Sequence, residues 1–294
     1  MPNALIPELN GRRLTVDVSL RQPSYIRARI AELADEQLLL DKFFSPFGGP
    51  VQGGGLLYTV IKASDFYTST DIERRTPKTE YKVVQGVDPE SKLAPLVDWG
   101  GKFSVSDEEK LRNNTSLVDQ STTQLANTIA RKLDIAALAA IDAAVTGENT
   151  LVGNDWGDLV TTGPLTDITP NADRPTADFS AAQLAADLQE LGIRHDLLIV
   201  HPNQAHALRV GYGDQLADVL ASAGLELFAN PRITAGTGYV LTKGEAGSVG
   251  FEAPLTVETY DDRSIRSTWV QAYAVPAFAV EKPYAVKKLT GLAG

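Results

Sequence analysis

Three histidines, His195, His201 and His206, are the whole supply of imidazole in the chain. Imidazole is the side chain best suited to moving protons or holding a transition metal near neutral pH. His201 and His206 stand five apart, the wrong spacing for one helical face, and no His-Glu-x-x-His pair occurs. Cysteine is absent, which excludes disulfides, thiolate zinc sites and a cysteine nucleophile. No Gly-x-Ser-x-Gly elbow is present to carry a serine nucleophile. Gly53-Gly54-Gly55 would suit a phosphate cradle, but no Lys-Ser/Thr follows at the required spacing, so a hinge is the better reading. Gly236-Thr237-Gly238 precedes a strand rather than a helix, the wrong order for dinucleotide binding. Asp261-Asp262 pairs two carboxylates, the residue type of acid–base catalysis, yet a hairpin turn accounts for them more simply. No constellation asks for an enzyme, and no cofactor or metal is expected.

The elements around these residues belong to a globular protein. Of 294 residues, 43% are apolar and 22% charged, which rules out wholesale disorder. The length allows one large domain or two ordinary ones. Lys plus Arg number 27 against 37 Asp plus Glu, a net charge of −10. So acidic a chain is a poor candidate for gripping nucleic acid through its phosphates. The first thirty residues hold no apolar run of signal-peptide length, and no stretch of about 18 uncharged apolar residues occurs. The expected compartment is the cytoplasm in which the chain is made.

Residues 1–30 read as an arm: Arg12, Arg13, Arg21, Arg27 and Arg29 face only Glu8 and Asp17. The arginines fit either a solvated face or a partner-binding surface. Leu14–Leu20 alternates like a half-buried strand, and a short helix is expected from Pro23 to about Leu40. Proline and glycine between Phe43 and Gly55 break regular structure. Two strand-like runs follow, Leu56–Ile61 and Thr79–Val84. Nine of the twenty-one residues from Lys62 to Lys82 are charged, too many for an independent core. A two-stranded ribbon is marginal in water. Such a hairpin is either a surface excursion or an arm that covers a neighbouring subunit.

Ser106-Asp-Glu-Glu109 fits a capping box. No Gly or Pro occurs from Lys102 to Thr146, so a long helix is expected from about Leu117 to Val145, interrupted before its start by Asn113–Ser116. Val118, Leu125, Ile129, Leu133, Ala136, Ala140 and Ala144 form its expected stripe, and Gly147 closes it. Residues 148–178 are turn-rich, with Trp156 as an anchor. Ser180 is expected to cap a helix with Leu184, Leu188 and Leu191 on its apolar side. Leu197–Val200 suits a buried strand. Helices are expected over Asn203–Val210, entered through His201-Pro202, and over Asp214–Ala223. The second of these leads into Leu225–Phe228, and strands then follow at Gly238–Thr242, Val249–Phe251, Leu255–Tyr260, Ser264–Val275 and Ala277–Val280.

In this order of parts the chain resembles the major capsid protein of tailed bacteriophages, the Hong Kong ninety-seven coat-protein fold. Asp196-Leu-Leu-Ile-Val-His-Pro-Asn-Gln-Ala-His-Ala-Leu208 is similar to the family's strand, turn and helix. Phe228-Ala-Asn-Pro-Arg-Ile233, with Gly236-Thr-Gly238-Tyr-Val-Leu241, resembles the approach to its central strand. Val275-Pro-Ala-Phe-Ala-Val280 resembles its last sheet strand. Residues 1–100 match in layout rather than in letters.

The resemblance implies an α+β fold with an N-terminal arm (1–50), an extended E-loop (51–102) and a peripheral domain with a spine helix (103–147). An axial domain (148–250) and return strands of the peripheral domain (251–294) complete it. It implies hexamers and pentamers that tile an icosahedral shell around double-stranded DNA, without sequence-specific binding and without a membrane. The inter-subunit contacts it implies on the arm and the E-loop are Arg12, Arg13, Arg21, Lys62, Arg74, Arg75, Lys78 and Lys82. With about fifty residues ahead of the E-loop, a separate scaffolding protein is expected, together with a portal and a decoration protein as further partners. Some members join an E-loop lysine to an asparagine of a neighbour. Lys62, Lys78 and Lys82 are the donors on offer, and no acceptor is matched here. The fold is shared by encapsulin-like compartments, which lack a long arm. A soluble enzyme is the remaining alternative.

Overall fold

The computed structural model of the chain describes residues 39–292 apart from 50, 52, 113, 114 and 165. The strand expected at 14–20, most of the helix expected from Pro23, and Arg12, Arg13 and Arg21 lie outside the described residues. In chain order the elements are α1 (Leu40–Phe43), β1 (Phe44–Pro46), β2 (Gly55–Val60), β3 (Glu90–Pro95) and β4 (Trp99–Ser106). Next come α2 (Asp107–Leu111), α3 (Thr115–Ala144), β5 (Thr150–Val152), α4 (Pro175–Asp187) and β6 (Leu197–Val200). They are followed by α5 (Pro202–Tyr212), α6 (Leu216–Ala223), β7 (Glu226–Ala229) and β8 (Thr237–Leu241). The chain closes with β9 (Gly247–Asp262), β10 (Ser267–Ala279) and β11 (Val286–Thr290).

The described residues fall into two compact units. One holds Val97–Leu133 and Phe251–Pro276. Here β4 runs antiparallel to β10, from Trp99 opposite Ala274 to Ser106 opposite Ser267. The first half of α3 lies on this sheet, burying Val118, Ala126, Ile129 and Leu133 among Val105, Val257, Val270 and Ala272. The turn into α2 is the expected capping box: the Glu109 amide donates to Ser106 Oγ, and Glu109 Oε2 accepts the Ser106 amide at 2.8 Å. Each bond satisfies a donor that the helix itself leaves orphaned.

The second unit comprises Leu39–Leu96, Asp134–Gly250 and Ala277–Gly294. Its centre is a five-stranded sheet of order β5-β11-β8-β6-β7. Strand β6 is buried along its whole length, as its unbroken apolar run requires. Trp156, Phe179, Leu198, Val200, Leu208 and Leu289 fill the main core of this unit. Pro202 occupies the first turn of α5, and the His201 ring nitrogen Nδ1 accepts the Asn203 amide, so the His-Pro pair starts that helix as expected.

Several expectations change. The Thr79–Val84 run forms no strand; the partner of β2 is β3, with Leu56 opposite Ala94 and Leu57 opposite Leu93. Among the described residues, strand propensity at 79–84 meets no neighbouring ladder, and an unpaired strand has no stabilising bonds. Beyond Leu133 the buried line of α3 passes through Asp134, Ala137, Leu138, Ile141 and Val145, not Ala136, Ala140 and Ala144. Helix α4 starts at Pro175, five residues before the expected cap at Ser180, because proline presets the first turn. It buries Pro175, Asp178, Phe179, Ala182 and Ala186, and leaves Leu184 and Leu188 exposed. The four C-terminal strand segments fuse into β9 and β10. Among the described residues β1 pairs only with Gly247–Val249, which leaves that side of β9 without a ladder at Pro254, where a proline is tolerated.

Candidate assembly surface and family

Positions 61–89 leave the ribbon of β2 and β3 as a long excursion. The ribbon is rooted on its own subunit: Leu56 and Ala94 pack with Val51, Ala277 and Ala279. Just beyond the root, Phe66 meets the edge of Tyr284 at 6.3 Å, and the Tyr67 hydroxyl donates to Glu190 at 3.1 Å. A neck follows, where the carbonyl of Gln85 accepts both the amide and the hydroxyl of Ser69, at 2.9 and 3.0 Å. Past the neck the two limbs run side by side without a ladder. Lys82 pairs with Glu73 at 2.7 Å, and the Thr79 amide closes a turn on the Thr76 carbonyl. Lys78 sits in that turn with φ +72°.

Among the described residues, Ile72, Tyr81 and Val83 past the neck join no buried cluster. Ile72, Tyr81 and Val83 are 78%, 76% and 83% exposed. On the outer side of the ribbon, the cross-strand pair Leu57 and Leu93 is exposed as well. Isolated exposed apolar residues are ordinary; these five lie on the ribbon and its excursion.

The five described candidate cations, Lys62, Arg74, Arg75, Lys78 and Lys82, are all exposed on this limb. Lys62 bonds Glu90 at 3.0 Å, and that contact raises the lysine pKa and lowers that of the carboxylate. Arg75 lies 4.9 Å from the Tyr81 ring centroid and donates to the Thr79 carbonyl. Lys62, Arg75 and Lys82 are therefore partly engaged within the limb, holding its shape. Exposed pairs of this kind add little to stability, so the limb is only lightly restrained.

Two carboxylates of α3 tie together elements of the second unit. The buried Asp134 of α3 accepts the Leu39 amide at 2.9 Å and is paired with the Arg232 guanidinium. Burial raises its pKa, and the arginine and the amide work against that shift. Asp134 thus ties the root of the N-terminal segment to α3 and to the Asn-Pro-Arg turn after β7. Asp142 accepts from the Tyr239 hydroxyl at 2.6 Å and from Lys288 at 2.7 Å, and burial followed by that bond pushes the Tyr239 phenol up. Sequence reasoning missed Asp134. Its signal was a lone carboxylate on the apolar side of a long helix.

The chemistry-bearing residues do not assemble into a site. His201 caps α5. His195 is buried, and its ring nitrogens have no hydrogen-bond partner among the described residues. Asp261 and Asp262 end β9, where Asp262 accepts the Ser264 amide at 3.0 Å and shapes the hairpin turn. Among the described residues, no group of three or more His, Asp or Glu side chains is placed to hold a metal ion. No helix among them is long and apolar enough to cross a membrane.

A spine helix, a ribbon that projects as a loop, a long hairpin and a compact five-stranded unit together define a capsid-type shell protein. The chain belongs to the phage capsid protein family, whose match covers residues 89–289, and it is a structural subunit of a capsid shell. No curated protein sequence matches it. Among solved structures, the virus-like particle from Pyrococcus furiosus is 15% identical with a TM-score of 0.62, the match covering 90% of this chain and 97% of that one. The capsid of cyanophage P-SCSP1u is 14% identical with a TM-score of 0.62, over 87% of this chain and 89% of its own. That of Mycobacterium phage Adephagia is 10% identical with a TM-score of 0.61, over 88% and 90%. At such identities the likeness is one of fold.

Proposed function

We propose that this subunit forms the hexamers and pentamers of an icosahedral capsid around the double-stranded DNA of a tailed phage, assembled in the host cytoplasm. The parts are an N-terminal arm (1–50), an E-loop (51–102), a peripheral domain (103–147 with return strands 251–294) and an axial domain (148–250). Its role is structural rather than catalytic. The observation that carries this reading is the excursion over 61–89, whose apolar side chains lie open while its root is fixed on its own subunit. A limb of that composition gains its core from a neighbour. Arg12, Arg13 and Arg21 on the arm, and Lys62, Arg74, Arg75, Lys78 and Lys82 on the E-loop, are the contact residues of this scheme. A separate scaffolding protein, a portal and a decoration protein complete the assembly.

Deleting Ser64–Lys78 tests the reading. The deleted chain stays soluble and folded, with unchanged far-ultraviolet circular dichroism, and forms no stable shells in electron micrographs. Normal particles from the deletion would contradict the assignment.

A further inference from the structure

Lysine is almost never fully buried unless its charge is paired. Lys287 on β11 is fully buried, and among the described residues no carboxylate forms an ion pair with it. Its Nζ instead donates to two side-chain amides, Asn149 Oδ1 at 2.6 Å and Gln189 Oε1 at 2.9 Å. Asn149 ends the single helical turn Gly147–Asn149 that follows α3, and Gln189 lies in the turn that follows α4. A buried charge met only by neutral groups is costly. Desolvation accordingly brings the lysine pKa down to about 8, so about a tenth of the amine is neutral, and nucleophilic, at pH 7. Gln189 touches both groups. Its Oε1 holds the amine, and its Nε2 donates at 3.4 Å to Asn149 Oδ1, the atom that takes up negative charge when an amine attacks Cγ.

We propose that Lys287 and Asn149 join through a side-chain amide in the folded chain, a covalent tie within one subunit. The neutral Nζ attacks Cγ of Asn149, and the carbonyl electron pair moves onto Oδ1. Collapse of that oxyanion breaks the Cγ–Nδ2 bond. One Nζ proton passes to Nδ2, which leaves as ammonia, and no oxidant or further reactant enters. The product carries no charge, so the cost of burying the ammonium is removed. The tie spans 138 residues of sequence and fastens β11, which lies between β5 and β8, to the turn after α3. In a chain without cysteine it limits the freedom of the unfolded state as a disulfide does. This inference is independent of the shell reading.

Intact-mass spectrometry of the folded full-length chain, held near the pKa of Lys287, tests the tie. The expected mass is that of the sequence less one ammonia, and fragmentation of a digest gives a branched peptide joining Lys287 to Asn149. Both residues belong to one subunit, so a denaturing gel shows no ladder. Lys287→Met and Asn149→Ala each keep the full mass. Gln189→Leu retains both reacting groups and slows the loss of ammonia by about tenfold or more. Should these variants fail to fold, the wild-type chain decides by itself. Full mass in the folded wild type overturns the proposal. So does an ammonia loss whose branch lies at any other residue pair, Lys287 with Gln189 included.

Discussion

Trp156 is fully buried, and its indole N–H donates to Asp178 at 2.7 Å. The same carboxylate accepts the Asn154 amide at 3.1 Å and the Asn154 side-chain amide at 2.9 Å. These bonds hold the turn-rich segment after β5 against α4, although burial raises the Asp178 pKa. Asp178→Ala strands a buried indole donor and costs about 2–3 kcal/mol, read as a lower urea midpoint; Asp178→Asn, which keeps acceptor oxygen, costs less. His195 makes the opposite contribution. Burial, and then the charge of Lys287, push its pKa down to about 4, while Asp187 and Asp196 pull the other way. The folded state therefore resists a proton that the unfolded chain accepts. The stability difference is fully present above the unfolded value near 6.5 and declines as pH falls toward 4, by about 3 kcal/mol in all. His195→Phe flattens that part of the stability profile in denaturant titrations between pH 7 and 4; an unaltered slope would count against a neutral buried imidazole. Lys287, also buried, donates to Asn149 at 2.6 Å and Gln189 at 2.9 Å, and desolvation brings its pKa down to about 8.

At the scale of elements, the long β9–β10 hairpin depends on one close approach. A Cβ on Gly247 would clash with the carbonyl oxygen of Ala279, an overlap that only backbone movement relieves. Gly247 is also where β1 joins, opposite Phe44. Gly247→Ala costs about 3 kcal/mol and lowers the melting temperature by several degrees; a melt within one degree of wild type would show that the hairpin adapts freely. Helix α3 illustrates a different dependence. Its thirty residues were legible from the absence of Gly and Pro and from the apolar spacing through Leu133. Past that point the helix changes from one compact unit to the other, and its buried line moves to Ala137, Leu138 and Ile141. A run as rich in alanine as Ile135–Ile141 offers apolar residues on every side, so periodicity cannot choose among them. In α4 the same ambiguity placed Leu184 and Leu188 inward, whereas the core selects the smaller Ala182 and Ala186 for close packing on the sheet.

For the molecule as a whole, charge and the open limb determine behaviour. Residues 148–250 hold thirteen Asp and Glu against five Lys and Arg, so most of the net charge of −10 lies there. So acidic a surface repels phosphates rather than holding them. Purified subunits therefore leave a duplex of about 150 base pairs unretarded in a gel-shift assay at about 150 mM salt; a saturable, salt-sensitive shift would contradict this. The capsid family was legible because short motifs kept their order: the run into His201-Pro202, the Asn-Pro-Arg turn, and the closing Pro-Ala-Phe strand. Contacts among copies were not, since they depend on surfaces that no single chain satisfies.

The sequence by itself determined the parts whose causes are local: the Ser106 capping box, the proline start of α5, the buried run of β6, the glycine stops and the acidic balance. Each follows from the conformational preference or polarity of a few adjacent residues. Only the tertiary structure decided that β3 rather than Thr79–Val84 pairs with β2, that Asp134, Asp178 and Lys287 are buried with partners far along the chain, and that α4 turns two leucines to solvent. Those outcomes depend on which surfaces meet, and the free energy of a buried face belongs to both partners, so neither segment carries it alone.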